Sequence, residues 1–192
     1  MGKGRLEAFS DGVFAIIITI MVLELRAPTS SDLAALQPLV PVLLSYVLSF
    51  TFVGIYWNNH HHMFQAVHRV NGRILWANLH LLFWLSLQPF VTDWLGKTGF
   101  AAGPVALYGA VLFMSAVAYT ILTIALIRQH GPDSLLAKAV GPDRKGKISL
   151  LLYGVAVCLA FVERRISIAL YITVAIIWLV PDTRIEKVIA FE

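Results

Sequence analysis

The sequence predicts an all-α integral membrane protein with six transmembrane helices per chain, folded as a single domain over residues 1–192. Three observations carry that expectation. The composition is 58% hydrophobic and 14% charged, where a soluble domain would hold about 25% charged residues. Six apolar segments reach or approach the roughly 17–25 residues that cross a bilayer as a helix. Lysine and arginine concentrate on alternate connections, the pattern that sets membrane orientation. The net charge of +4 is therefore assigned to loops at the membrane surface and not to nucleic-acid binding. The one cysteine, Cys158, excludes an intrachain disulfide. Its place in an apolar run reads as a small buried filler.

The elements follow in order. The first segment, about 6–25, begins after Lys3 and Arg5 in the manner of a signal peptide, but Asp11 interrupts its apolar run and more spans follow. It is read as a retained span. The second, about 36–66, is long enough to project beyond the hydrocarbon; Pro38 and Pro41 sit near its start, where proline is tolerated. The third, about 70–95, carries Pro89 late and is expected to kink there. The fourth, about 104–129, opens on Gly103-Pro104. The fifth and sixth, about 147–162 and 166–181, are short and joined by Glu163-Arg164-Arg165, so a re-entrant hairpin is the alternative to two full spans. A loop over about 130–146 contains the turn signals Gly131-Pro132-Asp133 and Gly141-Pro142-Asp143. Trp57, Trp94 and Trp178 fall near expected interfaces, whereas Trp76 and Trp84 lie deeper and are expected to pack against other helices.

Basic residues orient this layout. With the N-terminus inside, the inner set is Lys3, Arg5, Arg69, Arg73, Arg128, Lys138, Arg144, Lys145, Lys147, Arg184 and Lys187. The outer set is Arg26, Lys97, Arg164 and Arg165. Eleven against four agrees with the positive-inside rule and places both termini in the cytoplasm.

The chemistry concentrates on the first segment. Ile16, Thr19, Ile20 and Leu23 recur at i, i+3, i+4 and i+7 and share one helical stripe, which Gly12 extends. On periodicity alone that stripe reads as a packing seam, and a lone threonine can bond its own helix. Below it lie Ser10 and Asp11. A carboxylate in a membrane helix costs about 2.5–3.5 kcal/mol on insertion scales, so Asp11 must find a donor. His60, His61, His62, Trp76, Asn78 and His80 on the second and third helices offer donors at the same end. Such a polar knot serves either as glue between helices or as part of a gate.

Other chemistries fit poorly. Successive helical residues are about 100° apart, so His60, His61 and His62 spread around their helix and cannot all face one metal. Neighbouring Ser10 and Asp11 diverge in the same way, which works against a nucleophilic triad. The sequence holds no G-x-S-x-G and no P-loop. No enzyme activity and no metal or cofactor is expected. There is also no T-V-G-Y-G filter, so an ion pathway would need selectivity from side chains on a helix.

Arg5-x-x-x-Phe9-Ser10-Asp11, opening the first membrane helix, resembles the signature of the prokaryotic members of the transmembrane protein 175 family of potassium channels, relatives of the endolysosomal channel. Tyr56-Trp57-x-x-His60-His61-x-x-Phe64, Asn78-Leu79 and Pro89-Phe90 extend the likeness over about 5–95. The resemblance implies a homotetramer in the cell membrane, with the first helix of each copy lining a central pore. It implies a potassium-selective leak channel with potassium as the permeant ion and membrane lipids around it. Carried over by position, Ile16 is the narrowest hydrophobic layer, Thr19 the hydroxyl layer linked to potassium preference, and Ile20 and Leu23 further constrictions. Arg5, Phe9, Ser10 and Asp11 join His60, Trp76 and Asn78 in the network that holds the pore helices. Which of the three histidines joins is open. Two alternatives remain: a proton-permeable channel or proton-coupled transporter using Asp11 and the histidines, and a scaffold or intramembrane enzyme without conductance.

Overall fold

A computed structural model describes residues 2–179 of the chain. Eight α-helices and one 3₁₀ segment make up the described residues: α1 Gly4–Leu23, the 3₁₀ segment Leu33–Leu39, α2 Val40–Gln65, α3 Gly72–Ser86, α4 Gln88–Lys97, α5 Ala102–His130, α6 Leu135–Val140, α7 Arg144–Leu159 and α8 Arg164–Leu179. Among these residues there is no strand, only an isolated backbone bridge between Gly2 and Arg69.

Local chemistry sets the boundaries. Pro41 opens α2 and Pro89 opens α4, positions where the missing N–H is unpaired in any helix. Side-chain caps start three others: the Asn71 carbonyl accepts from Ile74 N at 3.0 Å, Ser134 Oγ from Ala137 N at 3.3 Å, and Asp143 Oδ1 from Gly146 N at 3.0 Å. The third span, expected as one kinked helix, is two: α3 ends at Ser86, Leu87 caps it, and α4 starts again at Gln88. Pro89 supplies no N–H to continue the ladder, and Gly72–Lys97 together make one span-length segment. The second span begins with the 3₁₀ segment, which absorbs Pro38 before the α-helix starts. The connection over 130–146 contains α6, bracketed by Gly131 and Gly141 at φ 92° and 53°, backbone conformations that favour glycine.

The helices alternate in direction. At one end the start of α1 meets the α2–α3 turn, where Lys3 Nζ donates to the Phe64 carbonyl. The end of α5 joins the same turn, with Asn71 Nδ2 donating to Gln129 and Arg69 N to His130 Nε2. The start of α7 and the end of α8 also meet there, with Trp178 Nε1 donating to Ser149 Oγ at 2.8 Å. The other end gathers Glu24, Lys97, the start of α5 and the α7–α8 turn. Of the described basic residues, nine of the predicted inner set fall at the first end and Arg26, Lys97, Arg164 and Arg165 at the second. Arg184 and Lys187 lie outside the described residues.

Two apolar cores fill the bundle. One gathers Phe14, Ile17 and Met21 of α1 with Val53, Phe64, Ile74, Leu81 and Leu122. The other gathers Phe52, Val91, Tyr108, Leu112, Tyr153 and Tyr171. In the second, α8 packs against α5 at Gly109: a Cβ there would lie 1.8 Å from the Tyr171 hydroxyl, which donates to the Val105 carbonyl at 3.1 Å.

Among the described residues, four segments are long and apolar enough to cross a membrane: Gly4–Leu23, Leu33–Gln65, Gly72–Lys97 and Ala102–His130. Helices α7 and α8 have 16 described residues each, about 24 Å at 1.5 Å per residue, against a hydrocarbon core of about 30 Å. They form an antiparallel pair, tied by Ser167 Oγ to the Ala156 carbonyl at 2.7 Å and by the Trp178–Ser149 bond. The last two residues of the expected sixth span, 180 and 181, lie outside the described residues. Two side chains differ from expectation. Cys158 is exposed on α7 and fills no core. Trp76 is 75% exposed and finds no packing within its own chain, whereas Trp84 is half-buried and donates to His80 Nε2.

Candidate functional site

The site is built on the two faces of α1. Leu6, Ser10, Phe14, Ile17 and Met21 are buried, and their spacing of three or four residues makes one face, turned toward α2, α3 and α4. The opposite face carries Phe9, Asp11, Gly12, Ile16, Thr19, Ile20 and Leu23, all exposed. Ile16 is 57% exposed and Leu23 is 76% exposed. The two faces share one hydropathy, so only the folded chain separates them.

Ser10 anchors the buried face. Its Oγ donates to the Leu6 carbonyl at 2.8 Å and accepts from Asn78 Nδ2 at 3.0 Å. With its amide nitrogen committed to Ser10, Asn78 presents Oδ1 to His60 Nε2 at 2.8 Å. That oxygen can only accept, so His60 carries its proton on Nε2. All three side chains are buried. Phe14 stands edge-on to the His60 ring at 5.7 Å and Phe64 lies 4.6 Å from it. A polar group in a dry interior must be matched, and this chain of bonds matches α1, α2 and α3 to one another in a single register.

Of the three adjacent histidines, His60 is the one in this cluster. His61 stacks on Trp57, with centroids 5.8 Å apart and planes 18° apart, and its Nε2 lies 2.8 Å from Gln65 Nε2. His62 is half-buried beside the His61 ring. No group of three or more metal-ligating side chains occurs among the described residues.

Asp11 does not share the Ser10 cluster. It is exposed and accepts from Trp57 Nε1 at 3.0 Å. Trp57 was assigned from the sequence to an interface, and its role as donor to Asp11 was missed. The available signal was the spacing of three residues between Trp57 and His60, which places both on neighbouring faces of α2 at the level of Ser10 and Asp11. Arg5, Phe9 and Trp76 lie exposed on the chain, outside the hydrogen-bonded cluster.

On the outward stripe, Thr19 Oγ1 donates to the Ile16 carbonyl at 2.9 Å. The hydroxyl proton is thereby turned into the helix and the oxygen lone pairs are left facing outward, the orientation a cation would meet. Beyond the stripe, Glu24 lies 3.7 Å from Lys97 at the end of α4.

Comparison with known proteins bears on the whole chain. The family described as "Endosomal/lysosomal potassium channel TMEM175" matches residues 5–89. A Chryseobacterium protein described as a potassium channel is 58% identical over 187 residues, covering 97% of each chain. The crystal structure of a protein from Chamaesiphon minutus, described as a lysosomal potassium-selective channel TMEM175 homolog, has a TM-score of 0.80 and 29% identity and covers 94% of this chain and 97% of that one. A rat protein described as the endosomal/lysosomal proton channel TMEM175 is 29% identical over 181 residues, spanning 84% of this chain and 36% of the rat protein. With its signature residues opening α1 and its helices following those of a solved relative, the chain belongs to the TMEM175 family.

Proposed function

We propose that this chain forms a potassium-selective leak channel, a homotetramer in the cell membrane whose pore is lined by the outward face of α1. The observation that carries this reading is the division of α1. One face is locked into the chain by Ser10, Asn78 and His60. The other leaves Ile16, Thr19, Ile20 and Leu23 exposed. One helix cannot enclose a pathway, so several copies are required. Ile16 forms the narrowest layer and closes the pore by dewetting. Thr19 offers a ring of hydroxyl oxygens that replaces part of the hydration shell of potassium. Ile20 and Leu23 line the path above it. No cofactor takes part and no bond is made or broken.

The chain crosses the membrane six times in this reading, with α7 and α8 as the last two passes. The end that carries nine basic residues faces the cytoplasm, as do both termini. Arg5, Phe9, Asp11 and Trp76, exposed on the single chain, meet neighbouring copies and lipid.

A second reading, a proton-permeable pathway through Asp11 and the histidines, draws on the description of the rat relative and on the exposure of Asp11 beside the Trp57–His61 stack. Reconstitution of the purified protein in planar bilayers with asymmetric potassium and sodium separates the readings. A reversal potential near the potassium equilibrium value supports the first. A current that follows the proton gradient supports the second, and an absence of conductance excludes both.

A further inference from the structure

The outer half of α1 touches a second polar cluster, at the opposite end of the helix from Ser10. The Tyr108 hydroxyl of α5 lies 3.0 Å from Ser49 Oγ of α2. Thr92 Oγ1 of α4 lies 2.6 Å from Ser49 Oγ, 2.6 Å from the Gln88 carbonyl and 3.8 Å from the Met21 sulfur of α1. All five residues are buried. Three hydroxyls hold three protons, and the carbonyl can only accept. Thr92 Oγ1 donates toward Ser49 Oγ and the Gln88 carbonyl, its one proton shared between them, and the Tyr108 hydroxyl pairs with Ser49 Oγ. The Met21 sulfur packs on the Thr92 hydroxyl.

Helix α4 is well placed to act as a strut. The helix is interrupted at Leu87, between α3 and α4. At Gly96 it meets α2 so closely that a Cβ would lie 2.5 Å from Ser45 Oγ and 2.7 Å from Val42 Cα. At its end Lys97 lies 2.7 Å from Asp93 and 3.7 Å from Glu24, the residue after α1. The Ser10 cluster fixes the inner half of α1 against α2 and α3. The outer half packs on α4, with Met21 against Thr92 and this exposed ion pair among the contacts.

We propose that Thr92 is a positioning residue for the pore helix. Through the Tyr108–Ser49–Thr92 hydroxyl cluster, α4 sets where the outer half of α1 rests at Met21, and with it the balance between open and closed channels. The proposal rests on the reading of α1 as the pore helix.

Single-channel recording of the reconstituted full-length protein tests it, with Thr92→Val, Thr92→Ser, Tyr108→Phe and Ile16→Asn compared side by side. Thr92→Val keeps the shape and removes the hydroxyl. It is expected to shift the open-to-closed ratio by about three- to tenfold, the effect of one neutral hydrogen bond, with unitary conductance and reversal potential unchanged. Thr92→Ser restores the hydroxyl and behaves as the parent. Tyr108→Phe removes the far end of the cluster and shifts the ratio in the same direction by less. A parent-like ratio in Thr92→Val, a changed reversal potential, or a shift in Thr92→Ser as large as that in Thr92→Val overturns the proposal. If Thr92→Val does not assemble, a parent-like ratio in Tyr108→Phe overturns it. Should Ile16→Asn leave the current unchanged, the pore reading falls and this role falls with it. Should Ile16→Asn alter the current while Thr92→Val does not, only the positioning role falls.

Discussion

The two faces of α1 have nearly the same composition and opposite chemistry. On the inward face every side-chain polar atom is committed: Ser10 to Leu6 and Asn78, and Asn78 to His60. On the outward face the one hydroxyl inside the apolar stripe, Thr19, spends its proton within the helix and keeps its lone pairs free. A matched polar group specifies position, whereas an unmatched oxygen between apolar layers is available to a passing ion. The difference assigns the costly-looking residues near Asp11 to holding the helix. On the proposed reading, the plain aliphatic stripe forms the path.

Variants that break this contrast are ordered by expected effect. Asn78→Leu should act most strongly. It strands the buried His60 N–H, a loss of about 1–3 kcal/mol, and cuts the link among three helices. The expected outcome is loss of assembled protein or a marked fall in thermal stability in detergent, read by size exclusion and melting. Ile16→Asn follows, because a polar side chain in the narrowest layer keeps it wet. Macroscopic current in assembled protein should rise several-fold, and a fall or no change removes Ile16 from that layer. Thr19→Ala deletes the hydroxyl while leaving the helix intact. Potassium-over-sodium preference should weaken, seen as a bi-ionic reversal potential moved toward zero, while total current persists. The smallest effect belongs to Asp11→Asn. The amide oxygen still accepts from Trp57 Nε1, so potassium current should be close to that of the parent. The proton pathway requires the opposite, a current abolished with the loss of the titratable group.

Much of this contrast was legible before the fold. Hydropathy locates the four long segments because each holds enough apolar residues to satisfy a bilayer, and Pro89 announces its break. The family signature at Arg5, Phe9, Ser10 and Asp11 points to α1. Spacing places Ile16, Thr19, Ile20 and Leu23 on one stripe but not on which side of α1 the rest of the chain packs, since both faces are apolar. That needed the observed burial of Phe14, Ile17 and Met21. The choice of His60 among three adjacent histidines depends on the rotation of α2 about its own axis. So does the donation from Trp57 to Asp11. The three-residue spacing puts Trp57 and His60 on adjoining faces of α2, but which way those faces turn is not readable where polar and aromatic residues run consecutively from Tyr56 to His62. Ser49, Thr92 and Tyr108 lay hidden for a related reason: they stand on three different helices, and only the tertiary fold brings the three together.

The claim that α1 turns its outward stripe to the ion path is tested most directly by cysteine accessibility, in a background where the exposed Cys158 is replaced by serine. Thiol-reactive charged reagents should block current through channels carrying Thr19→Cys or Leu23→Cys and leave Ile17→Cys and Met21→Cys channels conducting. Block at Ile17 or Met21 with none at Thr19 and Leu23 would contradict the account.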